Sequence, residues 1–203
     1  MNSLFTTFKK VLTTKNAAVN ISWFLLKTLL LYFTFNYFFL AYTGLTIPGG
    51  RFYSPFLLEH ADFISVFRRF LLWGGAQFAS LIGYPADYTN YMLSIRNGAS
   101  VRMVHSCMGF SLMSAYAALI LAWSAKVLYR VASVVIGTII IIVLNMIRLG
   151  GLAVLYTTGN YGFFKYINHH DLFNIIVLIA VLAMFIIHMN YTESKNAKSK
   201  LTD

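Results

Sequence analysis

Charge is what this sequence has least of. Only 11% of its 203 residues are Asp, Glu, Lys or Arg, where a soluble domain carries roughly 25%. That deficit excludes an ordinary water-facing surface. With 59% hydrophobic residues, the expected fold class is an all-α membrane protein, and the length allows one compact helical bundle. Acids are scarcer than bases, 6 against 16, for a net charge of +10. In a soluble chain that balance would point to nucleic acid. Here the lysines lie mostly beside apolar runs, so anionic lipid and membrane topology account for it, and no nucleic-acid partner is expected. Cysteine occurs once, at Cys107, which excludes an internal disulfide and any multi-cysteine metal site. There is no phosphate-binding glycine loop, no cofactor signature and no internal repeat, so no cofactor is expected. The first long apolar run, from Ile21, is too long for the core of a signal peptide, so no cleavable leader is expected.

What is present is a series of long apolar runs. Residues 1–20 are polar and carry Lys9, Lys10 and Lys15, a cytoplasmic leader in this reading. Ile21–Tyr42 is long enough to cross a bilayer; Lys27 can snorkel near its inner end, and Phe and Tyr crowd its outer half as an interfacial belt does. Three further spans are expected at Met108–Ala125, Val131–Ile147 and Leu172–Met189. Lys126 and Arg130 form a basic turn between the second and third. Gly150-Gly151 and Gly159-Asn160 mark an outer loop that ends at Asn168-His169-His170-Asp171. Residues 191–203 form a basic tail. Lys and Arg near the N-terminus, in the Lys126–Arg130 turn and in the tail belong inside, so four spans with both termini cytoplasmic are expected, in a single membrane-embedded domain over residues 21–190.

Between the first two spans lies a more polar stretch. Pro48-Gly49-Gly50 signals a loop. Ser54-Pro55 is a helix start, and Phe56, Phe63, Phe67, Phe70 and Leu71 recur at helical spacing. The charges Glu59, Asp62, Arg68 and Arg69 make this an amphipathic helix on the outer membrane face, with a tilted span burying its ions as the costlier alternative. Gly83-Tyr84-Pro85 stops it. Tyr91–Ile95 and Ser100–Val104 then flank Asn97-Gly98, the signature of a β-hairpin closed by a type I′ turn. The hairpin leads straight into His105-Ser106-Cys107.

Cys107 has two readings. Free cysteine is often a small buried hydrophobe. At a helix N-terminus it is also placed for reactivity, because the macrodipole and unpaired N–H groups favour the thiolate. Two other groups come to the same depth: Arg148 at the end of the third span and His170 at the start of the fourth. Arg148 alone reads as a snorkelling arginine, but Asn145 precedes it by three residues on the same helical face, and a polar pair facing inward points to a site. A thiolate attacking a carbonyl needs a base that later serves as acid, and a donor for the oxyanion. His170 fits the first role. Arg148 fits the second, with the backbone N–H groups of Met108 and Gly109; Gly109 would also let a substrate backbone approach closely. His105, two residues from Cys107, faces the same way on an extended segment but reads as a neighbour of the thiol. His169 adjoins His170 and points elsewhere on a helix. The two adjacent histidines lack an i,i+4 partner or a second cluster, so no metal site is expected. His60 and His188 read as interfacial.

These motifs resemble the exosortase/archaeosortase family, multi-span membrane proteins with Cys, Arg and His in that order at the outer face. The family's cysteine motif is similar to Cys107-Met108-Gly109-Phe110, its Asn-x-x-Arg motif to Asn145-Met146-Ile147-Arg148, and its histidine motif to His170-Asp171-Leu172-Phe173-Asn174. Met108 and Phe110 are bulkier than the family's usual residues, and Asn174 stands where it has glycine. The resemblance covers roughly residues 81–189 and is closest to the compact Bacteroidetes members. It implies a cysteine protease or transpeptidase in the inner membrane, with its site on the periplasmic or outer face. Its partners would be secreted proteins bearing a C-terminal motif, a transmembrane helix and a basic end, the lipid bilayer, and an amine acceptor on a surface lipid or polysaccharide. Many members are linked to exopolysaccharide systems. The rival expectation is a non-catalytic membrane assembly factor for surface polysaccharide or protein export, with Cys107 a packing residue; a weaker third is a thiol acyltransferase on lipid or glycan.

Overall fold

The computed structural model describes residues 15–46, 52–159 and 169–202, without the side chains of 15–20, 105–106, 169–174, 193 and 195–202. Among the described residues there are six α-helices: α1 (Lys15–Thr46), α2 (Pro55–His60), α3 (Phe63–Leu81), α4 (Phe110–Ala122), α5 (Val127–Thr158) and α6 (His169–Thr202). A small antiparallel sheet of β1 (Ala86–Tyr88), β2 (Met92–Ile95) and β3 (Ser100–Arg102), in that order, sits between α3 and α4. Among the described residues three helices are long and apolar enough to cross a membrane: Ile21–Thr46, Val127–Thr158 and, within α6, Ile175–Thr192. The helical membrane class therefore holds. The N-terminal part of the leader, the Pro48-Gly49-Gly50 loop and residues 160–168 of the outer loop lie outside the described residues.

The four apolar helices run alternately up and down. Phe39 stacks on Phe110 at 4.6 Å while Phe24 meets Trp123 edge-on at 5.6 Å, which makes α1 and α4 antiparallel. Asn145 reaches Cys107 and Arg130 reaches the Leu121 carbonyl, so α4 and α5 are antiparallel as well. Ser133 pairs with His188 and Tyr129 with Tyr191, which reverses direction once more between α5 and α6. The described start of α1, the Trp123–Lys126 turn and the far end of α6 thus share one end of the bundle. The His188 expected at an interface is instead 4% exposed, its Nδ1 2.7 Å from Ser133 Oγ, because α5 packs over it. His60 is exposed and stacks on Phe56.

Several local expectations change. The second span is only the 13-residue α4, about 20 Å at 1.5 Å per residue against a hydrocarbon core of about 30 Å. It starts late because Gly109 takes φ +81, a left-handed conformation no helix continues through. The third span does not stop at Ile147. α5 runs on to Thr158, and Gly150-Gly151, expected in a loop, lie inside it. Gly150 is a contact point there: a Cβ would come within 2.4 Å of the Gly75 carbonyl oxygen on α3. Small residues on both helices (Gly74, Gly75, Ala76, Ala79 against Gly150 and Ala153) let the two backbones close on each other, burying Leu71, Leu72 and Leu149.

The single amphipathic helix expected after Ser54-Pro55 is two. Pro55 does occupy the first turn of α2, but Asp62 restarts the helix by accepting the Ser65 N–H at 3.0 Å. Tyr42 donates its hydroxyl to the Ala61 carbonyl at the break. α3 is not among the helices apolar enough to cross, and Arg69 is exposed while Arg68 bonds the Asn90 carbonyl at 2.8 Å and lies over the Tyr91 ring. A tilted span burying both ions is not what forms. The hairpin forms with Leu93 opposite Val101, but four residues separate its strands and only Asn97 among them has positive φ, so the turn is not type I′. Its tip is tied down: the Ala99 N–H donates to Thr157 Oγ1 at 3.0 Å, a partner that exists only because α5 extends so far. β1 was not expected; three residues without apolar alternation carry no strand signal.

Candidate active site at Cys107

The hairpin delivers the chain into a 3-10 turn, His105–Met108, and Gly109 then bends it into α4. Cys107 is therefore not on the first turn of an α-helix, as expected, but just ahead of it. Its N–H donates to the Val104 carbonyl at 3.0 Å. The turn also removes the extended backbone that would have aligned His105 with the thiol; the His105 side chain lies outside the described residues. The thiol is free and 8% exposed, within the cluster formed by Leu71, Leu72, Leu93, Met103 and Met108.

Two residues of α5, one turn apart, meet this segment. Asn145, 3% exposed, donates Nδ2 to the Cys107 carbonyl at 2.9 Å. Arg148, half-buried, holds Nη2 3.9 Å from Cys107 Sγ. The expected Asn145/Arg148 face thus turns inward onto the cysteine: one side chain fixes its backbone and the other faces its sulfur. Gly109 has a structural part as well. It supplies the left-handed link, and a Cβ there would lie 3.3 Å from Asn145 Nδ2. Phe110, next in the chain, fills the space above with Phe39, Phe63 and Phe67, which joins α1 and α3 to the site.

Beside the thiol is a cavity of about 220 Å³. β3 forms one wall, Arg148, Leu149, Leu152 and Tyr156 of α5 the other, and Cys107 lines it between them. Ser100, Arg102, Leu152 and Tyr156 carried no signal in the sequence, because nothing there showed α5 continuing past Ile147 to face the hairpin. His169 and His170 open α6; their side chains lie outside the described residues. Among the described residues no group of three His, Cys, Asp or Glu side chains is placed to hold a metal ion.

Searches among curated proteins and among solved structures returned no match. Against protein families, residues 3–187 match the transmembrane exosortase family. That match spans most of the chain and includes the cysteine turn, the Asn145/Arg148 helix and the start of α6, so the protein belongs to the transmembrane exosortase family.

Proposed function

We propose that this chain is a membrane cysteine transpeptidase that cleaves the C-terminal sorting tail of secreted proteins at the outer membrane face and passes the new carboxyl terminus to an amine on the cell surface. The observation that carries the reading is the 3.9 Å approach of Arg148 Nη2 to Cys107 Sγ beside an accommodating cavity. Burial of Cys107 among leucines and methionines fits a packing residue equally well. Packing, however, gives no reason to aim a guanidinium at sulfur.

The reaction runs in two balanced halves. His170 takes the thiol proton, sulfur bonds to the scissile carbonyl carbon, and Arg148 faces the oxygen that becomes anionic. The C–N bond breaks, and the imidazolium returns the proton to the leaving amine. An acceptor amine then attacks the thioester carbonyl while His170 takes its proton, the C–S bond breaks, and the imidazolium returns that proton to the departing sulfur; water in place of the amine gives hydrolysis. Helix lengths support the role of His170. From His188 back to His170 is about 27 Å of α6, and from Ser133 up to Arg148 about 22 Å of α5, at 1.5 Å per residue. With Ser133 and His188 hydrogen-bonded to each other, these lengths favour similar heights for Arg148 and the His169-His170 pair, which supports giving the base's role to this doublet.

The test is Cys107→Ala and Cys107→Ser in cells that make the sorted proteins. Tails remain uncleaved by mass spectrometry while the variant accumulates normally in the membrane. Unimpaired cleavage by either variant leaves an assembly factor in which the thiol only packs.

A further inference from the structure

We propose that the polypeptide cut at Cys107 docks as an extended strand along the free edge of β3, pairing with the outward backbone groups of Ser100 and Arg102. The proposal rests on the cysteine-protease reading above. Among the described residues β3 pairs on one side only, with β2. The register fixes which of its groups are engaged. The Ile95 N–H donates to the Ala99 carbonyl at 3.0 Å, and the Met103 N–H to the Tyr91 carbonyl at 2.8 Å. Val101 and Met103, and Ala99 through its carbonyl, therefore direct their backbone toward β2. In an antiparallel ladder the alternate residues point the other way, so Ser100 and Arg102 each present one N–H and one C=O to the opposite side.

A cavity is lined by all three residues of β3 together with Cys107, Arg148, Leu152 and Tyr156, so a strand added to this edge would lie beside the thiol. An extended segment entering this cavity of about 220 Å³ would satisfy the edge as it binds. Strand addition supplies main-chain hydrogen bonds for affinity, while alternate side chains meet the walls and give selectivity. The edge is also held still, which lowers the ordering cost of binding. Leu93 and Ile95 of β2 are buried, and the hairpin tip is bonded to Thr157. The sorting motif is accordingly read unfolded, and the transmembrane helix that follows it must begin, or be unwound, beyond the cut.

The full-length protein in detergent is treated with mixed-sequence tetrapeptidyl vinyl sulfones, to which a thiol adds across the carbon–carbon double bond. Labelling of Cys107 is followed by intact mass. Backbone N-methylation of the peptide at an edge-facing residue is expected to slow labelling about tenfold, the equivalent of one hydrogen bond, while the iodoacetamide rate is unchanged. Ser100→Pro, which removes an outward N–H and leaves the β2 ladder intact, should reproduce that loss. Should Ser100→Pro fail to fold, the N-methyl series on the unaltered protein still decides. Peptides that label equally fast with or without N-methylation, or no faster than a non-peptidic vinyl sulfone, overturn strand pairing and leave the thiol chemistry standing. A Cys107 inert to every reagent overturns both.

Discussion

Asn145 shows how much of the site depends on one amide. Its Nδ2 is bonded to the Cys107 carbonyl, and its Oδ1 is buried with no hydrogen-bond partner among the described residues. Placing an amide here is costly, and the return is a fixed cysteine turn. Asn145→Ala leaves the Cys107 carbonyl unsatisfied in a buried place, which costs about 1–3 kcal/mol. Asn145→Asp is expected to be worse, since an acceptor then faces an acceptor. Both should lower the melting temperature in detergent and reduce tail cleavage. If Asn145→Ala melts like the parent, the amide does not hold the turn.

At the scale of elements, adjacent glycines in α5 give a sharp contrast. Gly150 has the Gly75 carbonyl where its Cβ would go, whereas Gly151 has nothing within 4 Å. Gly150→Ala must push α3 away and is expected to destabilise by about 1–3 kcal/mol. Gly151→Ala removes a flexible residue from a helix interior and should stabilise by about 0.5–1 kcal/mol. Equal effects in thermal melting would mean that α3 and α5 are not in backbone contact. The sheet carries a pH dependence of its own. Asp87 and Arg96 form a two-pronged pair at 3.0 and 3.1 Å, and the hydrogen bond from Arg96 holds the Asp87 carboxyl below its ordinary 3.8. A lowered folded value means the pair supports the sheet above the unfolded value and loses that support as pH falls through the folded one. Both side chains are exposed, so the effect is local. Exchange protection of the β1–β2 amides should drop below about pH 4 in the parent and be insensitive to that step in Asp87→Asn. These elements also mark where the sequence was legible. The apolar runs, the hairpin and the inward Asn145/Arg148 face follow from local pattern. The two-helix split at Asp62 turns on one capping carboxylate, and the continuation of α5 through Gly150-Gly151 on a partner helix some 75 residues away. Local pattern reads such glycines as loop, and with the helix end misplaced the cavity wall of Leu152 and Tyr156 had no place to appear.

For the whole molecule, the length of α5 sets the depth of the site. Its 32 residues span about 48 Å, about 18 Å more than the hydrocarbon core. The surplus is accommodated if the Gly150–Thr158 end stands clear of the lipid, where α3 and the sheet already cover it. Arg148 then sits at the boundary, and the sheet roofs the thiol on the water side. The opposite end of the bundle carries Lys126 and Arg130, and the tail of α6 adds Lys195, Lys198 and Lys200; if the excess of basic residues marks the cytoplasmic side, the site faces away from it. In a Cys107→Ser background, Asn90→Cys, exposed in the connection between β1 and β2, should react with a membrane-impermeant maleimide on spheroplasts. Ser124→Cys, exposed in the Trp123–Lys126 turn, should react only after lysis. The reverse pattern would turn the cavity toward the cytoplasm, where no exported protein presents its tail, and cleavage of a secreted substrate at Cys107 would have no route.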